Sequence, residues 1–292
     1  MRAWARIAGF VAALAVIFGV AVAVGGAVDV HRGDTGRGTA AKAGSRDAMA
    51  GMPAEGHGGA AHFPRGLAVA DGTVRLVAPD TTYALGRTTP FTFRIVDARG
   101  ATVRAFDVEH TKRLHLIAVR RDLTGYQHVH PVQAADGSWS VPLRFAQPGV
   151  YRVYADFQAH GSEKTTLATD VFVAGDFRPQ ALGAPASRVT VDGYDVTLKG
   201  APRAGREGNL EFSVSRAGKP VAVQPYLGAA GHLVALREGD LAYLHVHPQQ
   251  TRGSADPISF MTEYPSVGRY RLFLQFKYKN TIHTAAFTQE VS

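Results

Sequence analysis

Two stretches of this chain carry the same arrangement of histidines. In each, a lone histidine opens a short apolar run, and a His-Val-His pair followed by proline comes after it at the same distance. The residues are His115, His128 and His130 in the first stretch, and His232, His245 and His247 in the second. Residues two apart in a strand share a face, and imidazole nitrogens bind Cu(II) and Zn(II). The spacing predicts two metal sites of three histidines each, within a duplicated unit.

The first stretch carries a further candidate ligand, and both stretches allow a structural interpretation. His110 precedes His115, and the corresponding residue of the second stretch is Leu227, so we expect the first site to bind more tightly. The alternative is that the imidazoles satisfy backbone groups of the core, or of turns set by Pro131 and Pro248. A single histidine would favour that alternative, whereas the repeated triad favours metal.

Other chemistry finds little support in the sequence. The chain has no cysteine, which excludes disulfides, thiolate ligands and a cysteine nucleophile. It has no Gly-rich phosphate loop, no Gly-x-Ser-x-Gly elbow and no His-Glu-x-x-His motif. We therefore expect no enzyme and no catalytic residues. A metalloenzyme with an open coordination position would need a carboxylate such as Asp156 in a cleft beside the histidines.

The elements that must position the histidines are strands. Short runs of alternating apolar residues are separated by Gly, Pro and Asp turns, and no sustained helical period follows the N-terminal segment. This pattern predicts an all-β fold of tandem immunoglobulin-like antiparallel β-sandwiches. We place the first sandwich at residues 66–175, a linker at 176–188 and the second sandwich at 189–292.

The N-terminal segment predicts export. Arg2 and Arg6 precede an apolar run from about Ala8 to Val28, which indicates a hydrophobic helix at residues 1–28. We expect a signal anchor that holds the protein in the cell membrane as a single-pass, extracytoplasmic protein; secretion after cleavage is the alternative. Residues 29–65 read as a disordered linker. The net charge of +8 suits anionic lipid or cell-wall polymers, and export argues against nucleic acid.

Methionines and the remaining histidines are weaker candidates. The linker carries Met49, Met52, His57 and His62, whose thioethers and imidazoles suit copper. Met261 could be an axial thioether ligand, although a core position is the more common use of methionine. His160 and His283 do not align with each other, and we expect both at the surface.

Several motifs resemble those of known proteins. The Leu-His-Leu, Arg-Asp-Leu, Tyr-x-His-Val-His-Pro and Pro-Gly-x-Tyr-Arg elements resemble a group of largely uncharacterised bacterial secreted or membrane-anchored proteins, often actinobacterial and linked to heavy metals. The match covers roughly Phe106 to Phe157 and less fully Gly231 to Phe276. A looser similarity is to CopC-type copper-resistance sandwiches and YtkA-like domains. Those copper-resistance proteins typically bind copper through an N-terminal histidine and inner carboxylates, which have no counterpart here. The resemblance therefore implies fold and compartment, and copper over zinc.

Two functions follow as hypotheses. The first is a membrane-tethered extracytoplasmic protein that buffers or delivers copper, with zinc as the alternative ion, and that could meet an extracytoplasmic protein partner. The second is a non-enzymatic structural or adhesion module in which the histidines are structural.

Overall fold

The computed structural model describes residues 64–244, 246–249 and 256–292. The predicted membrane anchor, almost all of the linker at residues 29–65, and His245 lie outside these ranges. The described residues form strands and loops, and none of them belongs to a helix long and apolar enough to cross a membrane.

Nine strands form the first sandwich. They are β1 (Val74–Val77), β2 (Thr82–Tyr83), β3 (Thr88–Asp97), β4 (Leu114–Arg120), β5 (Gln127–Val129), β6 (Val132–Gln133), β7 (Trp139–Arg144), β8 (Gly149–Gln158) and β9 (Lys164–Val173). One sheet has the order β1-β3-β7-β6, and the other has the order β2-β9-β8-β4-β5. All pairs are antiparallel except β2 with β9.

Ten strands form the second sandwich. They are β10 (Arg188–Val191), β11 (Tyr194–Lys199), β12 (Glu207–Arg216), β13 (Lys219–Pro220), β14 (His232–Arg237), β15 (Tyr243–Leu244), β16 (Val246–Pro248), β17 (Ile258–Glu263), β18 (Gly268–Tyr278) and β19 (Thr281–Val291). One sheet runs β10-β11-β12-β17-β16, with β13 beside β12, and the other runs β15-β14-β18-β19. The all-β class and the two-sandwich architecture were predicted correctly.

Alternation along the strands builds each core. In β3 the side chains of Phe91, Phe93 and Ile95 point inward and are fully buried, while the residues between them face outward or toward the rim. Each sandwich has its own apolar cluster between its two sheets. The cores therefore follow from the period-2 pattern of the sequence.

A third apolar cluster joins the two sandwiches, and we call it the seam. Its residues are Ile117, Val119, Leu123, Tyr154 and Ala168 from the first sandwich, and Val234, Leu236, Leu241, Tyr243 and Phe273 from the second. Leu116 and Ala118, which alternate with Ile117 and Val119, belong to the core of the first sandwich, so β4 is buried on both faces. The ring of Tyr126 stacks on Phe273 with centroids 4.1 Å apart. Through the seam, the outward face of β4 packs directly against the second sandwich.

Candidate metal centre between the sandwiches

The first triad is built on a hairpin, as the sequence predicts. Strand β4 pairs with β5 in a register that sets Ile117 opposite His128, and with β8 in a register that sets His115 opposite Asp156. His115 and Ile117 are two residues apart, so both project from the seam face of β4. His130 follows the end of β5, on the same side as His128.

The three imidazoles converge on one point. His115, His128 and His130 each offer a ring nitrogen, and these nitrogens all lie within 4.8 Å of one another. His115 Nδ1 and His128 Nε2 are 3.1 Å apart. The ring of His130 lies 5.0 Å from that of His115 and 4.9 Å from that of His128, centroid to centroid. The group can hold one metal ion.

Hydrogen bonds to the outer nitrogens decide where the protons are. His115 Nε2 lies 3.1 Å from the backbone oxygen of Glu109, and His128 Nδ1 lies 2.7 Å from Gln275 Oε1. Gln275 directs its amide nitrogen toward Thr284 Oγ1, at 3.4 Å, so its oxygen faces His128. Both oxygens only accept, so each imidazole donates from its outer nitrogen. The two inner nitrogens therefore carry lone pairs that face each other.

The third imidazole also offers an unused nitrogen. His130 Nε2 is buried, and it has no hydrogen-bond partner within the described ranges. Burial lowers the pKa of His128 to about 3 and that of His130 to about 4, and burial also lowers the pKa of His115. All three rings are neutral at pH 7, which is the form that binds metals.

Charged groups stand behind the triad rather than in it. Asp156 is buried, accepts a hydrogen bond from Thr166 Oγ1 at 2.7 Å and lies 3.5 Å from Lys164 Nζ. Lys164 also pairs with Glu109 at 2.9 Å. Asp156, the carboxylate that a metalloenzyme would need, is thus engaged by the Thr166 hydroxyl and the Lys164 ammonium group.

The second sandwich adds a histidine to this group. The ring of His232 lies 5.3 Å from that of His115, nearly parallel at 7°, and 4.7 Å from that of His128. Burial holds the pKa of His232 well below its usual range. The ring of His110 lies 6.1 Å from that of His115 and 5.8 Å from that of His232. Five predicted ligands therefore form one cluster at the edge of the seam.

The other predicted ligands of the second sandwich are placed differently. His247 lies in β16 and pairs in register with Met261 of β17, in the sheet that does not contribute to the seam. Nothing is described for His245. Among the described residues, the first stretch thus assembles its three histidines, whereas the second places His232 and His247 on opposite sheets. His247 still lies near the cluster, because after burial and Lys164 its charge also lowers the pKa of His110.

Three secondary expectations have different outcomes. His160 is exposed, as expected, and bonds Asp107. His283 is not at the surface: it is buried because its ring packs on Phe276, with centroids 5.1 Å apart, and its Nδ1 bonds Asp192. Met261 is not part of a core cluster, since it falls on the outward face of β17.

Sequence reasoning missed the role of Gln275. The residue is the repeat counterpart of Asp156, because β18 sets it opposite His232 as β8 sets Asp156 opposite His115. That alignment was the available signal. It could not show that the amide crosses the seam to His128.

The fold and the cluster define an immunoglobulin-like two-sandwich protein with a largely buried group of histidines where its sandwiches meet. The chain belongs to the family "Domain of unknown function (DUF8832)", whose model matches residues 68–175 and again 189–292, so the duplication is confirmed. No curated protein sequence matches the chain.

Solved structures with similar folds include three β-rich proteins. The Lin-41 filamin domain is 15% identical, covers 36% of this chain and 98% of its own, and has a TM-score of 0.25. The Escherichia coli adhesin FdeC is 15% identical over 77% of this chain and 66% of its own, with a TM-score of 0.25. The Yersinia pseudotuberculosis adhesin InvE is 12% identical over 75% of this chain and 61% of its own, with a TM-score of 0.23. Nothing about function follows from likenesses at this level.

Proposed function

We propose that this protein binds a metal ion through His115, His128 and His130, with copper as the preferred ion and zinc as the alternative. The observation that carries the proposal is the 3.1 Å separation of His115 Nδ1 and His128 Nε2, which both carry lone pairs when the outer nitrogens donate to Glu109 and Gln275. Facing lone pairs repel unless a cation lies between them. Two nitrogen ligands about 2.0 Å from one ion, at about 100° to each other, are about 3.1 Å apart.

The donor set and the chain around it favour buffering or delivery over catalysis. Neutral imidazoles without thiolates suit Cu(II) and Zn(II). The motif resemblance to heavy-metal-linked bacterial secreted proteins supports copper over zinc. We further propose that residues 1–28 tether the protein to the cell membrane and that the sandwiches work outside the cytoplasm, where the Met/His linker captures ions.

A second candidate function is a structural or adhesion module. The hydrogen bond from His128 to Gln275 joins the two sandwiches, and the His232 ring stacks on histidines of the first. These contacts would serve a protein whose histidines only fix the angle between two immunoglobulin-like units. Such a module would present its outer sheets to a partner and would need no metal.

Calorimetric titration of the full-length protein with Cu(II) and with Zn(II) tests the proposal. We expect the variant His128→Ala/His130→Ala to lose one equivalent that the wild type binds. The matched control is His160→Ala, because His160 is an exposed histidine outside the cluster. A double variant that binds as the wild type does, or a wild type that binds nothing while the double variant is less stable, would establish structural histidines instead.

A further inference from the structure

The methionine of the second sandwich occupies an unusual place. Met261 is the sole methionine after Met52, and a lone methionine in a sandwich normally fills a core gap. Here Ile258 and Phe260 of β17 point into the core. Met261 points to the opposite, outward face of the strand, which Glu263 shares, and it is partly exposed. Its thioether is therefore available to something other than packing.

A histidine stands directly opposite this thioether. The register of β16 and β17 pairs His247 with Met261. Val246 packs against the core, so His247 projects from the outward face that Met261 also occupies. Directly paired residues on one face of an antiparallel pair have Cβ atoms about 5 Å apart, which lets both side chains reach a common ion.

Both side chains line one cavity. It has a volume of about 380 Å³, and its walls include His247, Met261, Glu263, Glu207 and Arg65. Glu207 and Glu263 are register partners in β12 and β17. With two carboxylates against one guanidinium, the formal charge around the cavity is negative and favours a cation.

We propose that His247 and Met261 form a second metal site in this cavity, selective for Cu(I). A thioether is a soft ligand that favours Cu(I), whereas the histidine triad offers borderline nitrogens alone. The two sites lie on different sheets and use different donors. The Cu(I) site therefore does not depend on the triad binding copper or zinc.

Methionine-methyl NMR of the full-length protein tests the site directly. The protein is labelled with ¹³C at its methionine methyl groups and titrated with Ag(I), a redox-stable analogue of Cu(I), and then with Cu(I) under anaerobic conditions. We expect the Met261 resonance, assigned by its loss in Met261→Leu, to shift and saturate with one equivalent. His247→Gln should weaken that binding by more than about tenfold, because even removing a hydrogen-bond partner of a metal ligand lowers metal affinity by about 10- to 100-fold.

Two further variants separate the possible outcomes. Ser259→Ala changes the same face of β17 without touching the cavity lining, and it should leave the titration unchanged. His128→Ala/His130→Ala should also leave the Met261 shift in place, whatever it does to Cu(II) binding. A Met261 resonance that does not move with Ag(I) or Cu(I), or that moves equally in His247→Gln, would overturn the site.

Discussion

At the scale of single residues, one amide determines which nitrogen of His128 is free. Gln275 Oε1 accepts the Nδ1 proton from across the seam, so the Nε2 lone pair points at His115. Outer partners of metal-binding histidines set the tautomer and the basicity of the ring. Gln275 is therefore a positioning residue for the triad, although it belongs to the other sandwich.

The effect of replacing Gln275 on metal affinity should depend on whether the new side chain can accept the proton of His128 Nδ1. We expect Gln275→Leu to weaken Cu(II) or Zn(II) binding by roughly 10- to 100-fold, because the His128 tautomer is no longer fixed. Gln275→Glu keeps an acceptor and adds charge, so it should bind at least as tightly as the wild type. Competition titrations with a chelator measure both.

The matched control is Gln158→Leu, a half-buried glutamine at the end of β8 whose amide bonds the backbone of Ser162. Equal affinities for Gln275→Leu and Gln275→Glu would contradict the tautomer argument. The sequence could predict the triad because its spacing is local, but it could not predict this partner. His128 and Gln275 are 147 residues apart in the sequence, and only the docking of the two sandwiches brings them together.

At the scale of elements, both repeats place an arginine–aspartate ion pair in the loop that follows the first seam strand, in different surroundings. After β4, Arg120 pairs with Asp122, and their side chains are 3% and 4% exposed. After β14, Arg237 pairs with Asp240, and the exposures are 20% and 40%. The chain thus provides a natural comparison of a buried ion pair and a half-exposed one.

Removing the carboxylate should destabilise the first loop far more than the second. Asp122→Ala leaves the buried Arg120 guanidinium without its carboxylate, with only Thr124 and the Pro148 carbonyl as acceptors, and we expect a loss of about 3–5 kcal/mol in the free energy of unfolding. Asp240→Ala should lose about 1 kcal/mol, because water screens its pair. Urea unfolding of both variants at pH 7 checks the difference. Equal losses would mean that burial does not govern these loops.

The same comparison shows where sequence patterns stop being informative about elements. The β4–β5 hairpin was predictable from alternation and a short polar connection. The run Tyr-x-His-Val-His-Pro is identical in both repeats, yet Val129 pairs with β4 and Val246 pairs with β17 of the opposite sheet. The adjacent residues differ, because Leu244 is buried in the core and Gln127 is half-buried outside it. In the second repeat the chain therefore passes to the opposite sheet before the His-Val-His run, and only tertiary packing reveals this difference.

At the scale of the whole molecule, the seam was the least predictable feature. Ile117 and Val119 read as core residues of a central strand, and nothing local distinguishes burial in a core from burial against a second sandwich. The seam is also where the neutral histidines are concentrated. Protonation of the cluster should therefore act on the docking of the two sandwiches, beyond its effect on the site itself.

Acid should weaken the metal-free protein through this cluster. Burial lowers the folded-state pKa of His128 to about 3 and holds that of His232 well below its usual range, whereas the unfolded chain has pKa values of about 6.5. Below about pH 6.5 the unfolded state binds more protons than the folded state, so the free energy of unfolding falls as pH falls. Above that pH the stability contributed by the neutral histidines is complete. Each such imidazole adds about 1.4 kcal/mol per pH unit to the slope.

Urea unfolding of the metal-free protein between about pH 7 and pH 5 measures that slope. His232→Phe keeps a ring for the stack on His115 but cannot take a proton, so its slope should be smaller by about one proton. His160→Gln removes an exposed histidine whose pKa is raised by Asp107, so it should not flatten the slope. Saturating Zn(II) at about pH 7 should stabilise the wild type, because the ion binds the folded cluster alone. If His232→Phe shows the same slope as the wild type, protonation of the seam histidines is not the cause of the acid sensitivity.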